Sequence, residues 1–276
     1  LAQGGWGRTH PNPMVGALVV ERGEVVTEGY HQACGGPHAE IETLASLGRI
    51  PDPDAVMFVS LEPCSTHGKT PPCTEAILRS GIKKVFVACT DPNPKHAGRG
   101  IEILGNAGVE VELAPDPVRE KAERMNFIFN HNMRTSGPLV ALKLAESANG
   151  MVAEQAGRPS QVTQEKARGD VMRWRRLFPA ICVGSGTVLS DDPTLTARLP
   201  DETWCPVRIL VDSSLSTLRG DITSRKVYVD EFSARTVILT TAKGTGHAER
   251  VARAKELGIR LIETGEGQGG GIDPVG

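Results

Sequence analysis

The sequence predicts two α/β domains in tandem, and three observations predict it. Short apolar runs alternate with helical stretches in both halves, the pattern of strands joined by crossover helices in a mostly parallel sheet covered on both faces. A Ser136-Gly137-Pro138 break follows a polar stretch and divides the 276 residues into segments 1–136 and 137–276, each of domain size. The chemistry is unevenly shared: six of the seven histidines and four of the six cysteines precede residue 137.

Leu1 to Gly5 reads as the last turn of a helix, so the chain is expected to be clipped at its start, as it is after the glycine-rich run Gly265 to Gly271. Val15–Val20 and Val25–Tyr30 are predicted strands joined by a hairpin turn at Glu21-Arg22-Gly23-Glu24. A helix opens after Pro37 at His38 and stops near Gly48. Val56–Leu61 is a buried strand, and Pro71-Pro72 opens a second helix, since proline suits a first turn. Val85–Cys89 and Val109–Leu113 are strands flanking a helix over 100–106, and a helical linker covers 117–133. The second half is expected to run strand Leu139–Leu144, helix Gln164–Leu177, strands Ala180–Val183, Val207–Val211 and Thr236–Thr240, helix His247–Leu257 and strand Ile259–Ile262. The halves do not repeat one another.

Composition excludes several function classes. With 31 basic and 33 acidic residues the net charge is −2, without the basic excess of a broad nucleic-acid or membrane-surface footprint. No apolar run approaches a membrane span. No signal-peptide pattern indicates export. Six cysteines are too sparse for a disulfide scaffold, so reduced thiols or metal ligands in a cytoplasmic protein are expected. Up to residue 136 the balance is 13 basic to 16 acidic; beyond it, 18 to 17.

The chemistry concentrates in His38-Ala39-Glu40, Pro63-Cys64 and Pro72-Cys73. Catalytic zinc takes three nitrogen or sulfur ligands and leaves a fourth position open, and one imidazole with two thiolates meets that need. Helix first turns favour thiolate charge. Glu40, two residues from His38, can move protons beside the metal without ligating it. The competing reading is a structural zinc site with His67 as fourth ligand. The pattern His-x-Glu followed by Pro-Cys is that of zinc deaminases, with eight residues, Ser65 to Pro72, between the cysteines instead of two. Cys89 and Cys182 sit in apolar strands and are expected in the core; Cys34 and Cys205 fall in loops and carry no chemistry.

Leu61-Glu62-Pro63-Cys64-Ser65-Thr66-His67-Gly68-Lys69-Thr70-Pro71-Pro72-Cys73 closely resembles the bifunctional riboflavin-biosynthesis deaminase/reductase family. So do His10-Pro11-Asn12-Pro13-Met14-Val15-Gly16, Gly29-Tyr30-His31 and Asp91-Pro92-Asn93-Pro94. The resemblance implies an N-terminal cytidine-deaminase-like three-layer domain and a C-terminal dihydrofolate-reductase-like domain lacking its last part. It implies that His38, Cys64 and Cys73 bind zinc, that Glu40 is the proton shuttle, and that Asn12, His31, His67, Lys69, Thr70, Asp91 and Asn93 line a pocket for a ribosylated, phosphorylated diaminopyrimidinone. Lys69 supplies a cation for phosphate, and Asn12 and Asn93 offer amide edges to a polar ring. Thr66 stands where the family has histidine, with His67 one place later. A homo-oligomer without nucleic-acid or membrane partners is expected.

In the second half, Gly184-Ser185-Gly186-Thr187 follows a strand and reads as a glycine-rich turn, not a dinucleotide fingerprint. Leu142-Lys143-Leu144, Thr187-Val188-Leu189 and Asp191–Arg198 look like the family's reductase domain, which uses NADPH to open the ribosyl group to a ribityl chain. By that resemblance Thr187, Asp191, Arg175 and Ser213 contact the cofactor, and Leu195, Arg198 and Lys143 the substrate. Asn149 and Met151 replace a carboxylate and a cation of the family pattern, and Pro159 and Gln161 depart from it too. The alternatives are a deaminase with a degenerate reductase half, a nucleic-acid-editing deaminase of the same fold, and a non-catalytic zinc-stabilised binding module.

Overall fold

In the computed structural model, residues 1–67, 71–152, 162–267 and 271–273 are described. The chain divides into two units, Leu1–Ala141 and Leu142–Gly276. The first runs through β1 (Gly16–Glu21), β2 (Glu24–Tyr30), α1 (Ala39–Leu47), β3 (Val56–Val59), α2 (Cys73–Ser80), β4 (Lys84–Val87), α3 (Arg99–Asn106), β5 (Glu110–Leu113), α4 (Asp116–Met125) and α5 (Phe127–Arg134), after a 3-10 turn over Ala2–Gly5. Arg22 and Gly23 both take positive φ, 53° and 84°, giving the two-residue hairpin turn whose twist matches its strands.

The five strands are ordered β2-β1-β3-β4-β5. β1 runs antiparallel to both β2 and β3, whereas β3, β4 and β5 are parallel. The expected mostly parallel sheet is therefore half antiparallel, because the hairpin reverses the chain and β3 returns beside β1. Alternate residues Val19, Met57, Val59, Val85 and Val87 meet Ile77 of α2 and Leu104 of α3 in a buried apolar core. On the opposite face Phe58 and Phe86, paired in register, stack with ring centroids 4.8 Å apart. The predicted helical linker is two helices parted at Asn126, and Ala122 of α4 packs on Leu61 and Cys89. Adjacent parallel strands β3 and β4 deliver their following loops side by side at their carboxyl ends, the usual place for a site in such sheets.

The second unit contains α6 (Glu165–Leu177), β6 (Ala180–Gly184), α7 (Ser185–Asp191), β7 (Ala197–Arg198), β8 (Thr203–Trp204), β9 (Val207–Val211), α8 (Lys226–Val229), β10 (Thr236–Thr240), α9 (Ala242–Thr245), α10 (Ala248–Glu256) and β11 (Arg260–Glu263). Four parallel strands lie in the order β11-β10-β9-β6, and β7 pairs with β8 separately. Leu210, Ile238, Leu215, Leu218 and Val188 form its core.

Three expectations are corrected here. Leu139–Leu144 is not a strand: Val140 and Leu142 are 84% and 89% exposed, because alternation alone makes no strand without a neighbouring ladder to accept its amides. The glycine-rich turn after β6 is instead helix α7, for which Gly184 is the N-cap and Val188 the buried anchor. Cys182 is exposed, since β6 is an edge strand that turns Ala180, Cys182 and Gly184 to its open face; Cys205 is buried instead. Among the described residues, no helix is long and apolar enough to cross a membrane.

Candidate metal centre and its cavity

His38 is the N-cap residue of α1, and Pro72 caps α2 so that Cys73 becomes its first residue. Proline there costs nothing, because a first-turn amide has no intrahelical acceptor. Cys64 arrives on the loop after β3. Its sulfur lies 3.5 Å from His38 Nδ1, and Cys73 Sγ lies 3.3 Å from the same nitrogen. One donor atom from each residue falls within 4.8 Å of the others. That spread suits zinc, whose tetrahedral bonds of about 2.0 Å to nitrogen and 2.3 Å to sulfur hold ligand atoms roughly 3.5 Å apart. The donor set, one imidazole and two thiols, fits the metal.

The electrostatics favour a thiolate. The Cys73 thiol hydrogen bond, with His38 and the Cys73 amide, brings the Cys64 thiol down to about 4. The same bond and burial push the Cys73 thiol up. His38 is raised above the ordinary histidine range, first by its hydrogen bond with Cys64. Glu40, buried in the first turn of α1, is pushed up to about 7 by loss of solvent.

A cavity of about 290 Å³ adjoins these groups. Asn12, His31, Glu40, Cys64, Asp91 and Asn93 line it, so the structure brings together most of the predicted deaminase-type site. His31 Nδ1 lies 2.8 Å from the Pro37 carbonyl and must carry the ring proton to bond it; Nε2 then accepts from Asn12 Nδ2 at 3.2 Å. Burial lowers the His31 pKa, and the Pro37 carbonyl selects this tautomer. Burial likewise raises the Asp91 carboxyl.

The structure separates Thr66 from His67. His67 lies outside the cavity wall, 72% exposed, with Nε2 3.3 Å from Glu75 Oε1, while Thr66 faces the cavity in its stead. The same position removes His67 from the metal cluster. Lys69 and Thr70 lie outside the described residues. The wall also includes His96, Phe129 and Met133, none of them predicted. Phe129 and Met133 stand four apart on α5, a spacing visible in the sequence, but nothing local says what a helix face will line.

In the second unit, Arg175 donates to the Thr196 carbonyl at 2.7 Å, and Arg198 to the hydroxyls of Thr194 and Thr196 at 2.8 and 3.2 Å, so these two predicted residues converge. Burial holds Arg175 below the usual arginine range. Thr187 and Asp191 are exposed on α7. The Ser213 carbonyl accepts from the Thr240 and Thr241 hydroxyls. Lys143 is exposed in the irregular stretch before α6. The Leu195 side chain is buried in the core with Val188 and Leu210, and its backbone takes φ of 56°. Pro159 and Gln161 lie outside the described residues.

Fold and metal cluster define a zinc-deaminase domain followed by a second α/β domain. Residues 1–89 match the cytidine and deoxycytidylate deaminase zinc-binding region, and residues 138–262 match the RibD C-terminal domain. The chain belongs to the family of the riboflavin biosynthesis protein RibD. It is 46% identical to RibD of Bacillus amyloliquefaciens over 216 residues, 78% of this chain and 57% of that one. With RibD of Actinobacillus pleuropneumoniae it shares 44% over 264 residues, 95% of this chain and 67% of the relative. The solved structure of Acinetobacter baumannii RibD superposes with a TM-score of 0.79 at 34% identity, covering 96% of this chain and 71% of that one. The chain thus spans 57% of the length of the first of these relatives and about two thirds of the second.

Proposed function

We propose that the chain carries out two steps of riboflavin biosynthesis: segment 1–136 hydrolytically deaminates a ribosylated, phosphorylated diaminopyrimidinone, and segment 137–276 reduces the ribosyl group to a ribityl chain with NADPH. The observation that carries this reading is the meeting of His38, Cys64 and Cys73 beside a buried Glu40 in a cavity sized for one small molecule. Those three residues would hold zinc, which when bound supplies Lewis acidity and a nucleophilic water near neutral pH. Glu40 takes a proton on a carboxylate oxygen as water adds to the ring and returns it to the departing amine. Neutral His31 and the Asn12 amide it orients, with Asp91 and Asn93, present donors and acceptors to the ring and ribose. Lys69 and Thr70 bind the phosphate. In the second segment Arg175, Thr187, Asp191 and Ser213 hold the cofactor, which supplies hydride, and Arg198 and Lys143 meet the anionic substrate. All six cysteines are unpaired, which supports a cytoplasmic setting.

The test is ammonia release from the diaminopyrimidinone phosphate, compared with cytidine and a tRNA anticodon stem. Turnover of the first substrate alone is expected; preference for the RNA would replace this reading with an editing deaminase. A second reading of segment 137–276, a reductase of weakened activity, is favoured by the burial of Leu195 and by Asn149 and Met151. NADPH oxidation with the deaminated product at full rate would discard it.

A further inference from the structure

Glu62 has no part in the chemistry above, yet the two loops of the metal-bearing site meet on it. Its carboxylate is buried. Oε2 accepts from the amides of Asp91 and Gly98 at 3.1 and 2.9 Å, and Oε1 from the amide of Gly100 at 2.9 Å. All three donors belong to the stretch between β4 and the first turn of α3. The Glu62 amide returns the favour to that stretch, donating to the Cys89 carbonyl at 2.9 Å. Gly100 lets the backbones close up: a Cβ there would run into the Pro63 carbonyl.

The loop has its own bonds, Asn93 N to Asp91 Oδ1 and His96 N to the Asn93 carbonyl, which set its shape. They do not set its place. Among the described residues no salt bridge involves Glu62, so amides and the positive end of α3 answer its charge. Two residues further on is Cys64, and the loop it grips carries Asp91 and Asn93 into the cavity.

We propose that Glu62 is a positioning residue: its carboxylate fixes the distance between Cys64 and the pair Asp91 and Asn93, and so between the reacting centre and the groups that hold the pyrimidine. The inference rests on the deaminase reading above. Glu62→Gln keeps the shape of the side chain but turns an acceptor oxygen into a donor facing an amide N–H, which expels the loop. Misplacement of substrate-holding groups by about an ångström is worth about 10- to 100-fold in kcat/KM. That loss is expected in Glu62→Gln, carried mainly by KM, with zinc held at one per chain. Glu21→Gln, which removes a structural carboxylate on β1, controls for simple loosening of the domain and is expected to leave KM unchanged. A KM for Glu62→Gln within twofold of the parent overturns the proposal. Loss of zinc does too, as does an equal KM rise in Glu21→Gln.

The unaltered chain supplies a second measurement. The amides of Asp91, Gly98 and Gly100, though outside any ladder, are expected to exchange hydrogen slowly; rapid exchange overturns the anchoring. This readout also decides the matter if Glu62→Gln fails to fold. If the parent chain exchanges slowly there but releases no ammonia, the deaminase reading fails while the anchor stands.

Discussion

Asn126 and Met14, 112 residues apart in sequence, exchange two hydrogen bonds: the Met14 amide donates to Asn126 Oδ1 at 2.8 Å, and Asn126 Nδ2 donates to the Met14 carbonyl at 2.9 Å. The side-chain amide thus acts as one more strand residue for the loop that carries Asn12, and it holds α5, with Phe129 and Met133, over the cavity. Asn126→Ala leaves a buried N–H and C=O unpaired, at about 1–3 kcal/mol. Urea unfolding of the deaminase unit should show that loss, together with a raised KM for ammonia release. An unchanged midpoint would remove the clamp from the account.

Glu40→Gln tests the proton shuttle. The amide keeps the side chain's size and leaves His38, Cys64 and Cys73 untouched, so bound zinc should persist. Ammonia release should fall on the order of 10²- to 10⁴-fold, the usual contribution of a positioned acid–base group. Metal analysis beside the rate separates this from loss of the ion. A non-catalytic zinc module predicts that Glu40 is dispensable.

Acid sensitivity should trace in part to Glu21. Arg49 Nη2 stands 2.5 Å from its carboxylate and the Asp52 amide 2.9 Å, and the Arg49 hydrogen bond holds its pKa below the usual glutamate range. A carboxyl lowered in the folded state stabilises fully above its unfolded pKa, about 4.3, and loses that stabilisation as pH falls through the lower folded value. Thermal midpoints from pH 6 down to about pH 3 should therefore fall more steeply in the parent chain than in Glu21→Gln. Parallel curves would contradict the coupling.

Among the described residues, Arg208 is the largest side chain wholly withdrawn from water. It spends its donors on both Asp230 oxygens, the Thr194 and Val227 carbonyls and the Thr236 hydroxyl, and so ties β9 to the segment bearing Arg198. Arg208→Ala strands Asp230 and is expected to cost about 3–5 kcal/mol, and lysine should not rescue it because the planar fork is lost. Paired apolar replacement of Arg208 and Asp230 should be milder than either single change. Denaturant melts of the four proteins measure this coupling.

Much of the metal site was legible because its signal is chemical and local. His38 and Glu40 are fixed two apart at the start of one helix, Pro63 precedes Cys64 on the loop after β3, and Pro72 marks where Cys73 enters α2. Asp91 and Asn93 were legible only through resemblance; that they face Cys64 follows from β3 and β4 lying parallel and adjacent. The directions of His67 and Leu195 were not legible: one depends on Glu75, the other on the core around Val188. Glu62 lies inside the Leu61–Cys73 motif, yet the partners of its carboxylate lie 29 to 38 residues away.

By itself the sequence determined where the chemistry gathers in this protein: zinc-type ligands with Glu40 beside them in the first half, and a chemically plainer α/β half after it. Ligand identity and helix-turn spacing are properties of neighbouring residues, so no partner is needed to read them. Tertiary structure alone decided that the first sheet is half antiparallel, that Thr66 rather than His67 meets the cavity, that Leu139–Leu144 forms no strand, and that α5 supplies a wall. Each of these turns on which distant backbone amide or apolar face a segment finds, and such pairing is a property of the folded chain as a whole.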